Sequence, residues 1–186
     1  MIRVVDYDPD WPRRFDSLRR EYAAAMAAAG VPVVAIEHVG STSVPGLPAK
    51  PVIDCDIIVA AANVDAASAV LVGLGFRPLG ELGIPQRWAF KEPDRLAGTN
   101  TYVIADGSLS LRNHLCVRDT LRSRAALRDE YAAVKKRVAV SAATIDDYGR
   151  GKNAVVQRIL AAGGMSQADR AAIDSNQVPS HDELPR

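Results

Sequence analysis

The sequence predicts an α/β (α+β) fold in which a sheet of about five strands is flanked by helices. Apolar residues recur at three- and four-residue steps in residues 11–29 and 118–139, which is typical of amphipathic helices. Between these stretches lie short β-rich segments separated by Gly, Pro, Asn and Asp, which is typical of strands joined by turns. A chain of 186 residues is long enough to bury a core without disulfides or metals, so we expect a single domain.

The first half of the chain contains the start and stop signals of two helices. Asp10 is suited to cap the first helix, and Pro12 fits its first turn, where the N–H group that proline lacks would be unpaired anyway. Gly30 is suited to end this helix, and Asn63 to cap the second. The predicted elements are a helix over residues 11–29, strands over 33–39 and 52–59, and a helix over 64–74.

The second half is expected to contain short strands followed by helices. Asp106-Gly107-Ser108 is a hairpin signal, and the β-prone residues after it predict a returning strand. Thr144-Ile145-Asp146-Asp147 resembles a capping box with Asp in place of Glu. The predicted elements are a loop or ragged edge strand over residues 76–84, strands over 86–91, 99–104 and 109–117, and helices over 118–139 and 145–162.

The predicted domain spans residues 1–164, because Gly163-Gly164 stops the last long helix. Residues 165–186 are polar and contain no aromatic residue, so they cannot build a core of their own. Ser166 is suited to cap a short helix within them. We expect this segment to be a mobile C-terminal tail.

Composition argues against several kinds of partner. The formal net charge of +1 gives no long-range reason to expect DNA or RNA, because nucleic-acid binders usually carry a basic face or stripe. No apolar run is long enough to span a bilayer, and the first residues lack the apolar segment of a signal peptide. The two cysteines, Cys55 and Cys116, both fall in predicted strands, which favours reduced core thiols. We therefore expect a cytoplasmic protein that binds neither nucleic acid nor a membrane.

Two acidic residues interrupt the most apolar predicted strand. Strand side chains alternate, so Asp54 and Asp56 leave the same face of the strand. Neighbouring carboxylates in apolar surroundings repel each other and lose hydration, so such a pair usually needs a cation. Mg²⁺ is favoured, with Mn²⁺ as an alternative, because hard cations take one or two carboxylates together with phosphate oxygens and water. The alternative interpretation is a solvated face of an edge strand.

The loop before this strand has the composition of an anion-binding site. It joins a flexible glycine to three hydroxyl side chains, in the order Gly40, Ser41, Thr42, Ser43. Three prolines follow and restrict the connection, so the loop loses less entropy when it closes on phosphate. Lys50, which precedes the third of them, is placed to reach phosphate or to remain a solvated lysine. A phosphate loop followed by a carboxylate pair suggests a site for a nucleoside triphosphate with magnesium.

This stretch is similar to a known family. Gly40-Ser41, followed after twelve residues by acid–apolar–acid, resembles the signature of the polymerase-beta-like nucleotidyltransferase superfamily. The longer runs 36–47 and 49–54 resemble the GrpB family within it, and the likeness extends over residues 3–162. Further matching motifs are Tyr7-x-Pro9-x-x-Pro12, Asn113-His114-Leu115-x-Val117-Arg118-Asp119, Tyr131-x-x-x-Lys135 and Tyr148-x-x-x-Lys152. The resemblance implies a mixed α/β nucleotidyltransferase fold with C-terminal helices, and it implies no particular substrate.

Basic residues of the C-terminal helices are candidates for phosphate contacts. Tyr131 and Lys135, like Tyr148 and Lys152, are spaced to lie on one face of their helices. In the functional interpretation Lys152, with Lys135 or Arg118, extends to the outer phosphates, and the family pattern favours this for Lys152. In the alternative these are aliphatic stems packed on apolar surface with solvated ends.

One feature departs from the superfamily pattern, in which a neighbouring strand carries a third carboxylate. The strand expected in that place, residues 111–117, has no acid, and His114 shares its predicted face with Arg112 and Cys116. His114 is a candidate metal ligand, a candidate base toward an acceptor hydroxyl, or a partly buried histidine bonded to a carbonyl. Glu37 and Asp119 are candidates for the third acid.

Two functional hypotheses follow. In the first, the chain is a metal-dependent nucleotidyltransferase that moves a nucleotidyl group from a nucleoside triphosphate to a small-molecule acceptor. Asp54 and Asp56 then hold the metal, and His114 assists as base or ligand. In the second, the chain is a non-catalytic module that binds a nucleotide or a compound related to coenzyme A, and the missing third acid motivates this alternative.

Overall fold

The computed structural model describes residues 2–175, without the side chains of residues 145 and 146. Within these residues the chain forms six α-helices and one five-stranded sheet, together with three short 3-10 helices. The helices are α1 (Trp11–Ala28), α2 (Val64–Gly73), α3 (Leu109–Ser123), α4 (Ala125–Ser141), α5 (Ile145–Ala162) and α6 (Gln167–Ser175). The strands are β1 (Ala35–Val39), β2 (Ile53–Val59), β3 (Arg77–Gly80), β4 (Arg87–Lys91) and β5 (Thr99–Ala105).

The sheet is mixed, with the strand order β1-β2-β5-β4-β3. The central strands β2 and β5 pair in parallel, and the other neighbours pair antiparallel. A crossover through α2, β3 and β4 separates β2 from β5 along the chain, as a parallel pair requires. The prediction of a mixed sheet of about five strands flanked by helices is therefore confirmed.

The two faces of the sheet are covered by different helices. Helices α1 and α2 pack against one face, where Trp11, Tyr22 and Leu71 join Ile53 and Ile57 of β2 in the largest apolar core. The other face carries the two acidic residues of β2. A small cluster of Ile58, Ile104 and Leu111 attaches the start of α3 to that face. A further cluster joins the loop after β1 to α3, α4 and α5; its members include Val44, Leu47, Leu121, Tyr131 and Ile159.

The prediction of a strand over residues 109–117 is wrong, because these residues form the first part of α3. Gly107, with φ of 73°, makes the turn after β5, but the chain does not return as a strand. Ser108 instead caps a helix, since its Oγ accepts a hydrogen bond from the N–H group of Leu111 at 3.2 Å. His114 therefore does not share a strand face with Arg112 and Cys116.

The single predicted helix over residues 118–139 is also corrected. Helix α3 ends at Ser123, and α4 begins at Ala125, with Arg124 in an extended conformation (φ −124°, ψ 88°) between them. The capping box at the start of α5 is confirmed, because Thr144 and Asp147 exchange side-chain to backbone hydrogen bonds. Asp10 and Asn63 occupy the predicted N-cap positions, but neither side chain makes a capping hydrogen bond.

Part of the segment after Gly164 is ordered against the domain. Ser166 Oγ accepts a hydrogen bond from the N–H group of Asp169, which confirms the predicted cap of a short helix, α6. Arg112 of α3 donates to Asp169 at 3.1 Å, and Asn153 of α5 donates to Asp174 at 2.6 Å. Residues 176–186, for which the prediction of a mobile tail was also made, lie outside the described residues. No helix within residues 2–175 is long and apolar enough to cross a membrane.

Candidate active site

The two carboxylates of β2 lie on the face of the sheet that α3 covers. The strand register places Asp56 opposite Glu37 of β1 and Tyr102 of β5, and it places Asp54 opposite Asn100. Residues directly opposite each other in neighbouring strands project from the same face. The sheet therefore brings two acids, a third acid from the edge strand, an amide and a phenol to one surface.

Asp54 is held by a neighbouring amide. Asn100 Nδ2 donates a hydrogen bond to its Oδ1 at 2.8 Å. Burial raises the pKa of the Asp54 carboxyl, while the Asn100 hydrogen bond and the nearby His114 and Lys50 act in the opposite direction. The second oxygen of this carboxylate, Oδ2, faces Gly40 of the loop after β1.

Gly40 packs directly against this carboxylate. Its backbone, with φ of 68° and ψ of −173°, lies in a region that is essentially restricted to glycine. A Cβ at this position would overlap Asp54 Oδ2 and lie 2.8 Å from Asp54 Cγ. Position 40 therefore requires glycine for two reasons, its backbone conformation and its close approach to Asp54.

Asp56 is fully buried, with a side-chain exposure of 0%. Its Oδ2 lies 2.7 Å from Nδ1 of His114, which reaches down from α3. Its Oδ1 is buried without a hydrogen-bond partner within residues 2–175. A buried carboxylate oxygen without a donor is costly, and a bound cation would remove that cost.

The hydrogen bond with Asp56 fixes the His114 ring. If Nδ1 carries the proton and donates to Asp56, the other nitrogen, Nε2, presents a lone pair. The side chain of His114 is 20% exposed, and its ring packs edge-on against Tyr102 with centroids 6.0 Å apart. The imidazole is therefore oriented from two sides and keeps one basic nitrogen for a ligand or a proton.

The hydroxyl loop forms a 3-10 turn over Ser41–Ser43, whose hydroxyl groups have protein partners. Thr42 Oγ1 donates to the carbonyl of Val52 at 2.9 Å, and Ser43 Oγ donates to the carbonyl of Gly40 at 2.6 Å. The Ser41 side chain lies close enough to Tyr131 of α4 to oppose the rise that burial causes in the pKa of this phenol. The side chains thus hold the loop in shape, and the backbone N–H groups of its first turn are the groups suited to an anion.

The ring of His38, just before this loop, is held in place by contacts with other side chains. It stacks on Phe15 with ring centroids 4.6 Å apart, and its Nε2 lies 3.0 Å from Thr42 Oγ1. Burial, together with the nearby charges of Arg122 and Arg118, lowers the pKa of His38 to about 4. It is therefore neutral at physiological pH and supports Thr42.

Two lysines of the C-terminal helices approach the carboxylates. Lys135 is buried, donates to the carbonyl of Pro48 at 2.7 Å, and lies 5.3 Å from the centre of the Tyr131 ring. Lys152 lies 4.1 Å from the centre of the Tyr148 ring. Burial lowers the pKa of Lys152 to about 8, against the opposing effect of Asp54, and burial followed by the charge of Lys152 lowers the pKa of Lys135.

The predicted stand-ins for the third acid are both paired with Arg118. Arg118 donates to Glu37 at 2.6 Å, to Asp119 at 2.7 Å and to the carbonyl of His38 at 3.2 Å. These contacts tie α3 to the edge strand. Among the described residues, no group of three or more His, Cys, Asp or Glu side chains is placed to hold a metal ion. The candidate metal site therefore contains the two carboxylates of Asp54 and Asp56 without a third acid among the described residues.

The residues that the sequence analysis missed lie on β5. Asn100 and Tyr102 occupy the strand beside the acids, because β5, and not residues 109–117, pairs with β2. Their segment was predicted as a strand, but its parallel register with β2 is a long-range property without a local sequence signal. Ser41 and Tyr131 were each singled out, but their proximity was not predicted.

Comparison with known proteins decides the family. A model of the GrpB protein family matches residues 1–162. The chain belongs to the GrpB family. A UPF0157 protein of Halalkalibacterium halodurans is 35% identical over 164 residues, covering 86% of this chain and 80% of the relative. A UPF0157 protein of Pseudomonas aeruginosa is 36% identical over 163 residues, covering 86% and 66%. The resemblance seen in the sequence motifs is thus confirmed.

Solved structures give the same family and the wider fold. The crystal structure of the conserved protein GrpB from Enterococcus faecalis is 26% identical with a TM-score of 0.73, covering 86% of this chain and 98% of that one. A GLD-2/RNP-8 complex has a TM-score of 0.53 at 15% identity, covering 82% of this chain and 60% of that one. Cid1 in complex with its short product ApU has a TM-score of 0.50 at 12% identity, covering 70% and 42%. This GrpB-family chain therefore has a nucleotidyltransferase-like fold, and it spans less than two thirds of the latter two structures.

Proposed function

We propose that this chain is a metal-dependent nucleotidyltransferase that moves a nucleotidyl group from a nucleoside triphosphate to a small-molecule acceptor. The observation that carries the proposal is the unpartnered Oδ1 of the fully buried Asp56, next to a second carboxylate on the same face. The likeness in fold to Cid1 and GLD-2 supports the same reaction class. The net charge of +1 favours a small acceptor over a nucleic acid.

The residues present fit a divalent cation of the hard type. Asp54 and Asp56 would hold Mg²⁺, or Mn²⁺ in its place, with phosphate oxygens and water as the remaining ligands. The ion, when bound, would neutralise charge on the phosphates and orient the reacting groups. Asn100 and His114 would keep the two carboxylates in place through the hydrogen bonds that they already make.

The triphosphate would be bound by groups around Gly40. The absence of a side chain at Gly40 lets the loop backbone approach Asp54. Its N–H groups can then donate to a phosphate that the Asp54 carboxylate would reach through the cation. Lys152, Lys135 and Lys50 are all close enough to Asp54 for its charge to affect theirs or to be affected by them. Lys135 would act through the position of Tyr131, and Ser41, Thr42 and Ser43 through the shape of the loop.

His114 is the proposed general base. Its Nε2 would accept the proton of an acceptor hydroxyl, while Nδ1 donates to Asp56, which stabilises the imidazolium that forms. The acceptor oxygen then forms its bond to the α-phosphorus as the bond from phosphorus to the pyrophosphate oxygen breaks. The proton remains on His114 until solvent removes it, and pyrophosphate leaves.

A second candidate function is a non-catalytic module that binds a nucleotide or a compound related to coenzyme A. It is favoured by Asn100, an amide on the strand beside the acids, and by the pairing of Glu37 with Arg118. A site with two carboxylates can bind a nucleotide with its metal and still turn over slowly or not at all. We place either activity in the cytoplasm, because Cys55 and Cys116 are both free thiols.

Pyrophosphate release separates these functions. The four ribonucleoside triphosphates are incubated with Mg²⁺ or Mn²⁺, the protein and a metabolite pool, with a short RNA in parallel as acceptor. We expect release with the metabolite pool and its loss in Asp54→Asn and Asp56→Asn, but not in Asp129→Asn, which changes an exposed acid of α4. Tight nucleotide binding without release would favour the module, and release only with RNA would overturn the small-molecule acceptor.

A further inference from the structure

A cavity of about 350 Å³ lies beside the proposed phosphate site. Its walls come from the loop before β4, the start of α3, α5 and α6, with Pro85, Leu109, Asn113, Gly149, Lys152 and Ile173 among the lining residues. The volume is within the range of pockets that bind small organic molecules. Helix α6 follows residues 1–162, so one wall is built by residues outside the family match.

The walls of the cavity combine apolar and polar groups, which suits an organic group that has both. Five lining residues are aliphatic or proline, and they come from the loop before β4 and from helices α3, α5 and α6. The polar lining residues are Gln86, Ser110, Asn113 and Lys152, and of these only Asn113 has a side-chain atom, Oδ1, that is buried without a hydrogen-bond partner within residues 2–175. A buried carbonyl oxygen in this state favours a ligand that carries an N–H donor.

Lys152 connects the cavity to the carboxylates. It lines the cavity, and its ionisation is also coupled to Asp54. A ligand that occupies the cavity and extends toward Asp54 would place a negative group next to this lysine. Asn113 and His114 are consecutive residues of α3, so the same helix presents one residue to the cavity and the next to Asp56.

We propose that this cavity binds the nucleoside part of the nucleoside triphosphate, with an N–H group of the base donating to Asn113 Oδ1. The base lies between the loop before β4 and helix α5, and the triphosphate passes Lys152 toward Asp54 and Asp56. This inference rests on the proposed function, since it assumes that a nucleotide binds. It adds the position of the base and the contribution of α6.

The test uses a substitution that fills the cavity without disturbing the core. Gly149 lines the cavity, lies within α5, and has no atom within 4 Å of the place where a Cβ would stand. Gly149→Leu therefore adds a side chain where there is open space. Gly73→Leu is the matched control, because Gly73 is also helical and also has nothing within 4 Å, but it belongs to α2 on the opposite face of the sheet.

Calorimetry would measure binding of non-hydrolysable analogues of the four nucleoside triphosphates and, separately, of inorganic tripolyphosphate, all with Mg²⁺. We expect Gly149→Leu to weaken the preferred nucleotide by about tenfold or more and to change tripolyphosphate affinity by less than about twofold. Asn113→Leu is expected to show the same selective loss, because it removes the acceptor without adding bulk to α5. Gly73→Leu should bind both probes as the wild type does.

The experiment distinguishes a failure of this inference from a failure of the proposed function. Suppose that both probes bind the wild type. If the single variants Gly149→Leu and Asn113→Leu then leave the affinity for both probes unchanged, or lower it equally for both, the base does not occupy this cavity and the inference is overturned. If neither probe binds the wild-type protein, the proposed function is overturned, and this inference with it.

Discussion

The carboxylates of β2 are each held by a single neighbouring side chain, Asp54 by Asn100 and Asp56 by His114. Strand alternation was enough to predict from the sequence that Asp54 and Asp56 share a face, because that periodicity is local. The partners of the two acids were not predictable in the same way. Asn100 comes from a strand 46 residues away along the chain, and His114 from a helix 58 residues away. Their positions follow from topology, which a local pattern does not contain.

The first prediction for a single residue concerns Gly40. Gly40→Ala places a methyl group against Asp54 and forces a backbone conformation that only glycine adopts, so we expect a loss of about 3 kcal/mol or more in unfolding free energy. Gly46→Ala is the control, because Gly46 has a similar φ of 77° but no atom near its Cβ position, and we expect a loss of about 1–2 kcal/mol. Urea denaturation measures both. Equal losses would show that the contact with Asp54 adds nothing.

Lys152 gives a prediction on pH. Burial lowers its pKa to about 8, so below pH 8 the amine is charged and available to phosphate, and above pH 8 the free protein loses that charge. We expect tripolyphosphate affinity to be level up to about pH 8 and then to fall by up to about tenfold per pH unit. Lys152→Arg keeps its charge throughout and should remove the break near pH 8. A break near pH 8 that persists in Lys152→Arg would show that a group other than Lys152 causes it.

At the scale of elements, α3 explains why the sequence analysis misplaced the histidine. Asp106-Gly107-Ser108 also fits the end of a strand followed by a capped helix, and its interpretation as a hairpin turn was the wrong alternative. The helix raises His114 above the sheet and lets it bond to Asp56 from outside the strand plane. The histidine was therefore identified correctly as a candidate, while the element that carries it was wrong.

Arg118 joins helix α3 to the edge strand β1 through hydrogen bonds. It is 10% exposed and bonds to Glu37 and the carbonyl of His38, so Arg118→Ala should lower the unfolding free energy by about 1–3 kcal/mol. Arg112→Ala is the control on the same helix, because its ion pair with Asp169 is exposed and should contribute about 1 kcal/mol or less. Urea denaturation is the stability measurement. If Arg118→Ala instead leaves stability unchanged and weakens tripolyphosphate binding, Arg118 is a phosphate ligand.

In the whole molecule, the main apolar core and the proposed active site lie on opposite faces of the sheet. The apolar face of β2 packs with α1 and α2 in the main core, and the acidic face opens toward α3, α4 and α5. Most elements of this arrangement were predictable from helix caps, glycines and periodicity. The strand order and the helix that closes the acidic face were not, since both arise from contacts between distant parts of the chain. The family motifs supplied the fold where local patterns did not.

Uptake of Mn²⁺ tests the central claim most directly, because this ion can be followed by electron paramagnetic resonance. Wild-type protein, Asp54→Asn and Asp56→Asn would be titrated with Mn²⁺ in the presence of a non-hydrolysable nucleoside triphosphate. We expect the wild type to bind Mn²⁺ together with the nucleotide and both variants to lose this binding while remaining folded. Binding that is unchanged in both variants, or absent from the wild type, would contradict the assignment of the carboxylate pair as a metal site.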